Sequence, residues 1–404
     1  MKNIILIIFL SVIISCNKEH KPENRIKEDV SFLADDKLEG RQTGTPGELK
    51  AAEYIQNRFK DLGLSAKGTN GFYQDFTFKP KTNPHEEVKF TENADGTITG
   101  RNVVGFLDNK AANTVIIGAH FDHLGFGGDG SLHRGEKAIH NGADDNASGV
   151  AVLLNLIGKL KEKNTNNNYL FMAFSGEEMG LLGSNYFVKN PTINTKAVSY
   201  MINMDMVGRL KDSALAVYGT GTSPIFKQTL KSHNNNFKLI QKESGVGPSD
   251  HTSFYLADIP VLHFFTGQHG DYHKPSDDIE TLNYEGMELV SNYIFNIITD
   301  LNDNGKLAFR KTKSEKAQVR FKVGLGVIPD YMYDGKGMRV DGVSEDKPAQ
   351  KAGLQKGDIV IKLGERNVTD MMSYMKALAV FKKGDKTTVI VTRKGKKVTA
   401  DIQF

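Results

Sequence analysis

The 404-residue chain contains no tryptophan and a single cysteine, Cys16, so no disulfide can form within it. Proline is scarce, at 11 residues against 40 glycines, which excludes collagen-like and proline-rich disordered classes. Beyond the first fifteen residues there is no apolar run long enough to read as a transmembrane helix, and there is neither an internal repeat nor a low-complexity tract. What remains is 39% hydrophobic and 25% charged. That is the balance of an ordinary globular protein, and the length suits two or three domains.

The net charge of +4 conceals an asymmetry. Lys306 to Phe404 carries 22 Lys and Arg against 11 Asp and Glu, and the part before it carries 30 against 37. The basic part has its lysines scattered with few aromatics among them, so it reads as a solvated surface and not as a nucleic-acid interface. At the other end, Lys2 precedes an apolar run from Ile4 to Ile14. The stretch Ile13-Ile14-Ser15-Cys16 resembles a bacterial lipobox. That resemblance implies a signal peptide over 1–15, lipidation of Cys16 and a tether over 16–25. The protein would be exported and lipid-anchored to a bacterial membrane, on its periplasmic or cell-surface face.

Hydrophobic spacing predicts a helix from Glu48 to Leu62, with Ala52, Ile55, Phe59 and Leu62 on one face, and another from Ala147 to Glu162. A third is expected from Tyr284 to Leu301. Short apolar runs at Thr114–Ala119, Tyr169–Phe174, Val198–Met204 and Ile259–Phe265 read as strands buried on both faces. Strands alternating with amphipathic helices predict an α/β fold with a mixed, largely parallel central sheet over 26–305. Residues 306–320 read as a linker, followed by a small, mainly β module over 321–404.

Five segments place acids or histidines just after apolar runs or at a helix start: His120-Phe121-Asp122, Ala143-Asp144-Asp145-Asn146, Ser175-Gly176-Glu177-Glu178, Asp205-Met206 and Asp271-Tyr272-His273. Open α/β sheets bind ligands outside the carboxyl ends of their strands. Charge concentrated there is costly unless it is paired or holds a metal. Two histidines with several carboxylates and no thiolate form a ligand set for zinc or a similar divalent ion.

This ordered set resembles peptidase family M28, the co-catalytic zinc peptidases, and Leu38-Glu39-Gly40-Arg41-Gln42-Thr43-Gly44-Thr45-Pro46-Gly47 resembles its bacterial members. The resemblance implies two zinc ions per chain, His120 and Asp205 on one and Glu178 and His273 on the other, bridged by Asp145. It further implies a cis bond from Asp145 to Asn146, Glu177 as general base, Asp122 orienting His120, and Tyr272 donating to the developing oxyanion. Asp250 and His251 match a segment near the family's substrate pocket. His123, His133 and His140 read as loop residues, and Asp277 as support for His273 or the start of the next element. The implied activity is release of amino-terminal residues from peptides. A glutaminyl cyclase or carboxypeptidase of the same fold, or a non-catalytic peptide-binding scaffold, are the alternatives. The complete ligand set weighs against the cyclase and the scaffold, and no Arg stands out to clamp a carboxylate.

In the last module, Gly324-Leu325-Gly326-Val327 resembles the carboxylate-binding loop of PDZ domains, and Lys347 to Asp358 their turn-rich middle. That resemblance implies capture of a peptide or protein C-terminus at Leu325, Gly326 and Val327. Cleavage of a small amide is then expected not to depend on 321–404.

Overall fold

The computed structural model describes residues 25–404 apart from 81–88, 93, 129, 134, 162, 313–322, 331–332, 334 and 344–346. Cys16 with its signal and tether, and the second half of the expected linker, lie outside the described residues.

The larger domain holds β1 (Ser65–Ala66), β2 (Tyr73–Phe78), β3 (Ile98–Leu107), β4 (Asn113–His120), β5 (Asn167–Phe174), β6 (Val198–Met204), β7 (Ala214–Tyr218), β8 (Lys238–Gln241) and β9 (Val261–Phe265). They form one sheet in the order β1-β3-β5-β4-β6-β9-β7-β8, with β2 on β3. The central strands β5, β4, β6 and β9 run parallel, while β3 and β7 flank them antiparallel.

The helices are α1 (Ile26–Leu33), α2 (Pro46–Asp61), α3 (Gly149–Leu160), α4 (Leu182–Lys189), α5 (Phe226–Ser232), α6 (His251–Tyr255) and α7 (Tyr284–Asp300). Alternation along the strands explains the layers. Val115 and Ile117 of β4 pack with α1, α2, α3 and α7 in one core, whereas Ile116 packs with Phe187 of α4 and Phe254 of α6 in another. Both faces are therefore covered, and the central strands are buried almost along their whole length, the polar Asn203 of β6 and His263 of β9 included. No described helix is long and apolar enough to cross a membrane.

The smaller domain holds β10 (Val327–Pro329), β11 (Met338–Val343), α8 (Pro348–Lys351), β12 (Ile359–Leu363), β13 (Arg366–Asn367), α9 (Met371–Leu378), β14 (Lys386–Arg393) and β15 (Lys396–Gln403). Its strands pair antiparallel in the order β10-β11-β12-β14-β15, with β13 on β12. Val340, Val360, Leu363, Ala377 and Val389 centre a separate core. Residues before the undescribed stretch lie against the larger domain: Leu307 N donates to Ser199 Oγ at 3.0 Å, and Thr312 N to the Tyr255 hydroxyl at 3.0 Å.

Candidate metal centre and active site

Parallel central strands end on one edge of the sheet, and the candidate residues follow those ends. His120 closes β4, Glu177 and Glu178 follow β5, Asp205 follows β6, and His273 lies in the loop after β9. Asp145 sits in the turn that leads into α3, and its peptide bond to Asn146 is cis. His273 adopts φ +55°, a left-handed conformation that costs a non-glycine residue on the order of 1 kcal/mol. Such positions cluster at functional sites.

The side chains converge. His120 Nε2 lies 3.3 Å from Asp145 Oδ1 and 3.4 Å from Asp205 Oδ1. His273 Nε2 lies 3.2 Å from Asp145 Oδ2 and 3.3 Å from Glu178 Oε2. Each oxygen of Asp145 thus faces a different imidazole. Ligands about 2.0–2.1 Å from a tetrahedral zinc stand roughly 3.3 Å from one another, so each of these histidine–carboxylate pairs has the spacing of two ligands on such an ion.

Electrostatics agree with the geometry. Burial opposes a charged His120, but Asp205 and Glu177 outweigh it and hold its pKa well above the ordinary value. Burial likewise opposes a charged Asp145, yet hydrogen bonding to His120 and His273 holds it well below the usual carboxylate range. Glu178 is held down to about 2: burial works against this, and His273 outweighs it. Glu177 goes the other way. Burial, with Glu178 and Asp205 adding to it, pushes its carboxyl well above the usual range despite His120. A cluster this acidic and this buried calls for bound cations, which its donor set could hold.

Several residues position the cluster. Asp122 Oδ1 accepts from Glu177 N at 3.1 Å, and Oδ2 from Thr43 at 3.0 Å. His120 Nδ1 is nearer the Asp122 carbonyl, at 3.2 Å, than its carboxylate, at 3.7 Å. Asp122 therefore anchors the Glu177 main chain more directly than it turns His120. His273 takes its orientation from the Gly130 carbonyl, 2.8 Å from Nδ1. Asp277 does not reach that ring nitrogen; it accepts from the backbone N–H groups of Asp144 and Asp145, each at 3.1 Å. Asp144 supports the same turn, accepting from Ser148 Oγ and Gly208 N.

Two residues at the site carried no site role in the sequence reading. His123 is buried, with Nδ1 2.8 Å from Glu178 Oε1, so it is part of the centre and not a free loop residue. Its signal was only its closeness in sequence to His120. Arg41 is 1% exposed and donates to the carbonyls of Phe121 at 2.7 Å, Asn141 at 2.6 Å and Gly142 at 3.1 Å, and also to that of Leu33. It ties the His120 and Asp145 segments together, which gives the Leu38–Gly47 stretch a physical purpose. By contrast, His140 bonds Ser131 at 2.7 Å, within its own loop.

Tyr272 lines the pocket over the centre, its ring stacked on His273 at 3.8 Å. The structure places Asp250 and His251 behind that pocket and not on its wall. His251 stacks on His263, which does line the pocket, with centroids 4.4 Å apart. Asp250 is fully buried, with Ser184 beside its carboxyl, and burial pushes that carboxyl up to about 7.

A parallel sheet with this donor set at its carboxyl edge, joined to a separate antiparallel domain, defines an aminopeptidase-like α/β fold with a β-rich appendage. Residues 102–298 match peptidase family M28 and 307–404 match the PDZ domain, so the chain carries an M28 peptidase domain followed by a PDZ domain. Among curated relatives, the alkaline phosphatase isozyme conversion protein of Escherichia coli is 31% identical over 169 residues, 41% of this chain and 46% of that protein. A probable leucine aminopeptidase of Arthroderma benhamiae is 28% identical over 260 residues, 57% of this chain and 67% of that one. The chain therefore spans less than half of the first relative and about two thirds of the second. The zinc aminopeptidase of Bacillus subtilis shares the fold at TM-score 0.54 and 17% identity, over 73% of this chain and 96% of its own. The glutaminyl cyclase of Porphyromonas gingivalis does so at TM-score 0.54 and 18% identity, over 68% and 96%.

Proposed function

We propose that the protein is a zinc aminopeptidase with a two-ion centre that releases amino-terminal residues from peptides. The observation that carries this reading is the Asp145 carboxylate shared between two imidazoles, each with a further carboxylate. His120, Asp145 and Asp205 would hold one ion, and His273, Asp145 and Glu178 the other. Zinc held there supplies Lewis-acid polarisation and a more acidic water. Glu177 lines the same pocket without belonging to either donor set. As general base it accepts a proton from the attacking water and delivers it to the leaving amine as the C–N bond breaks. Tyr272, which stacks on His273 and lines the same pocket, would donate to the carbonyl oxygen as negative charge develops. A free α-amine also suits the acidic larger domain.

Glutaminyl cyclase action is the rival that the shared fold keeps in view, and one experiment separates them. Zinc-loaded protein is offered aminoacyl amides, free-amine peptides, N-acetylated peptides and peptides beginning with glutamine. The expected result is release of the first residue from free-amine substrates only, abolished by a chelator and restored by zinc. Pyroglutamate formation without hydrolysis, or removal of carboxy-terminal residues, would overturn the aminopeptidase reading.

A further inference from the structure

The pocket over the candidate centre has a volume of about 330 Å³, and the peptidase domain does not enclose it alone: Val327 and Pro329 of β10 line it together with Asp145, Glu177 and Tyr272. The pairing of β10 on β11 shifts register between Ile328 and Pro329, and across this irregularity Val327 and Pro329 both face the pocket. The strand is the outermost of its sheet and pairs with β11, Val327 opposite Val343, on one edge. Pro329 lacks an N–H and belongs on an open edge, where no ladder bond is lost. The smaller domain is held to the larger one near this strand, since Lys242 Nζ donates to the Tyr333 carbonyl at 2.7 Å.

We infer that β10 forms the outer wall of the substrate channel and contacts the peptide on the leaving side of the scissile bond, selecting an apolar residue at its second position. This rests on the aminopeptidase reading. The donor residues occupy the inner side of the pocket, on the carboxyl edge of the larger sheet, so a wall supplied by a second domain bounds the outer side. A peptide whose first residue sits at Glu177 then passes along β10, which is one wall of the same pocket. Val327 and Pro329 offer no charge and no side-chain hydrogen bond there, so they favour an aliphatic neighbour over a charged one. The PDZ domain thus becomes part of the peptidase's specificity, and not a remote docking module.

Specificity constants in zinc-loaded, full-length protein test this with three substrates: leucinamide, which has nothing beyond the scissile bond, and the tetrapeptides Leu-Leu-Gly-Gly and Leu-Lys-Gly-Gly. Pro329→Asp is expected to lower kcat/KM for Leu-Leu-Gly-Gly about tenfold relative to leucinamide and to raise it for Leu-Lys-Gly-Gly on the same scale. The opposite signs exclude simple misfolding of the small domain. Val327→Ala is expected to shift the preference between the tetrapeptides more weakly in the same direction. Equal changes for all three substrates, or no change in the ratio between them, would overturn the inference. Binding of Leu-Leu-Gly-Gly to the Glu177→Gln protein, read by calorimetry, separates the two readings. Weakening by Pro329→Asp upholds the β10 wall even if no hydrolysis is found, and unaltered binding removes it even if hydrolysis is.

Discussion

Glu177→Gln is expected to lower turnover by about 10²–10⁴-fold while zinc content stays at two per chain. Glutamine keeps the shape of a half-buried, pocket-lining side chain whose backbone N donates to Asp122 Oδ1 at 3.1 Å. What it loses is the ability to accept a proton. Glu177 stands outside both donor sets, so metal content has no reason to fall. Glu178→Gln is the informative contrast: it removes charge from an oxygen 3.3 Å from His273 Nε2 and should cost metal as well as rate. Metal analysis alongside kcat distinguishes the two variants. Retained hydrolysis in Glu177→Gln would remove Glu177 from its role, and loss of metal there would make it a ligand.

The second large effect is structural. Arg41→Ala should destabilise the peptidase domain by on the order of 3–5 kcal/mol, because a buried cation and its hydrogen bonds to four main-chain carbonyls disappear together. Burial lowers its pKa to about 10, partly offset by Asp122 and Asp145, so the guanidinium is still charged near neutrality. For a domain of this size the loss corresponds to a melting temperature lower by roughly 10 °C. Arg41→Lys should not restore it, since an ammonium cannot fork between carbonyls on separate segments. A melting temperature unchanged within measurement error in Arg41→Ala would contradict this role.

The parts of this protein that could be read in its sequence are those whose signal is local. The β4, β5, β6 and β9 regions stood out because strands covered on both faces are predominantly apolar. Strand β3 did not: it contains Gly100, Arg101, Asn102 and Gly105, and its glycines answer to neighbours far away in the chain. A Cβ at Gly105 would sit 2.6 Å from Leu64 and 2.7 Å from Phe59, so that position is dictated by packing that no window of sequence displays. The candidate ligands were legible because they follow strand ends in a family order, but their supporting contacts were not. His123 looked like part of a glycine-rich loop, and its partner Glu178 is 55 positions away. Arg41 reaches carbonyls 80 to 101 positions away. Asp122 was expected to serve His120 and proves closer to Glu177 and Thr43, since an extended chain allows either and only the loop after β5 decides. The β10 wall depends on how one domain lies against another, which no local pattern encodes.

The proposed chemistry depends on one aspartate, Asp145, holding two ions in common. Anomalous diffraction at the zinc absorption edge, from crystals of the zinc-loaded protein, tests it directly. Two peaks flanking the Asp145 carboxylate are expected, one shared with His120 and Asp205, the other with His273 and Glu178. A single peak, or zinc bound away from Asp145, would contradict it.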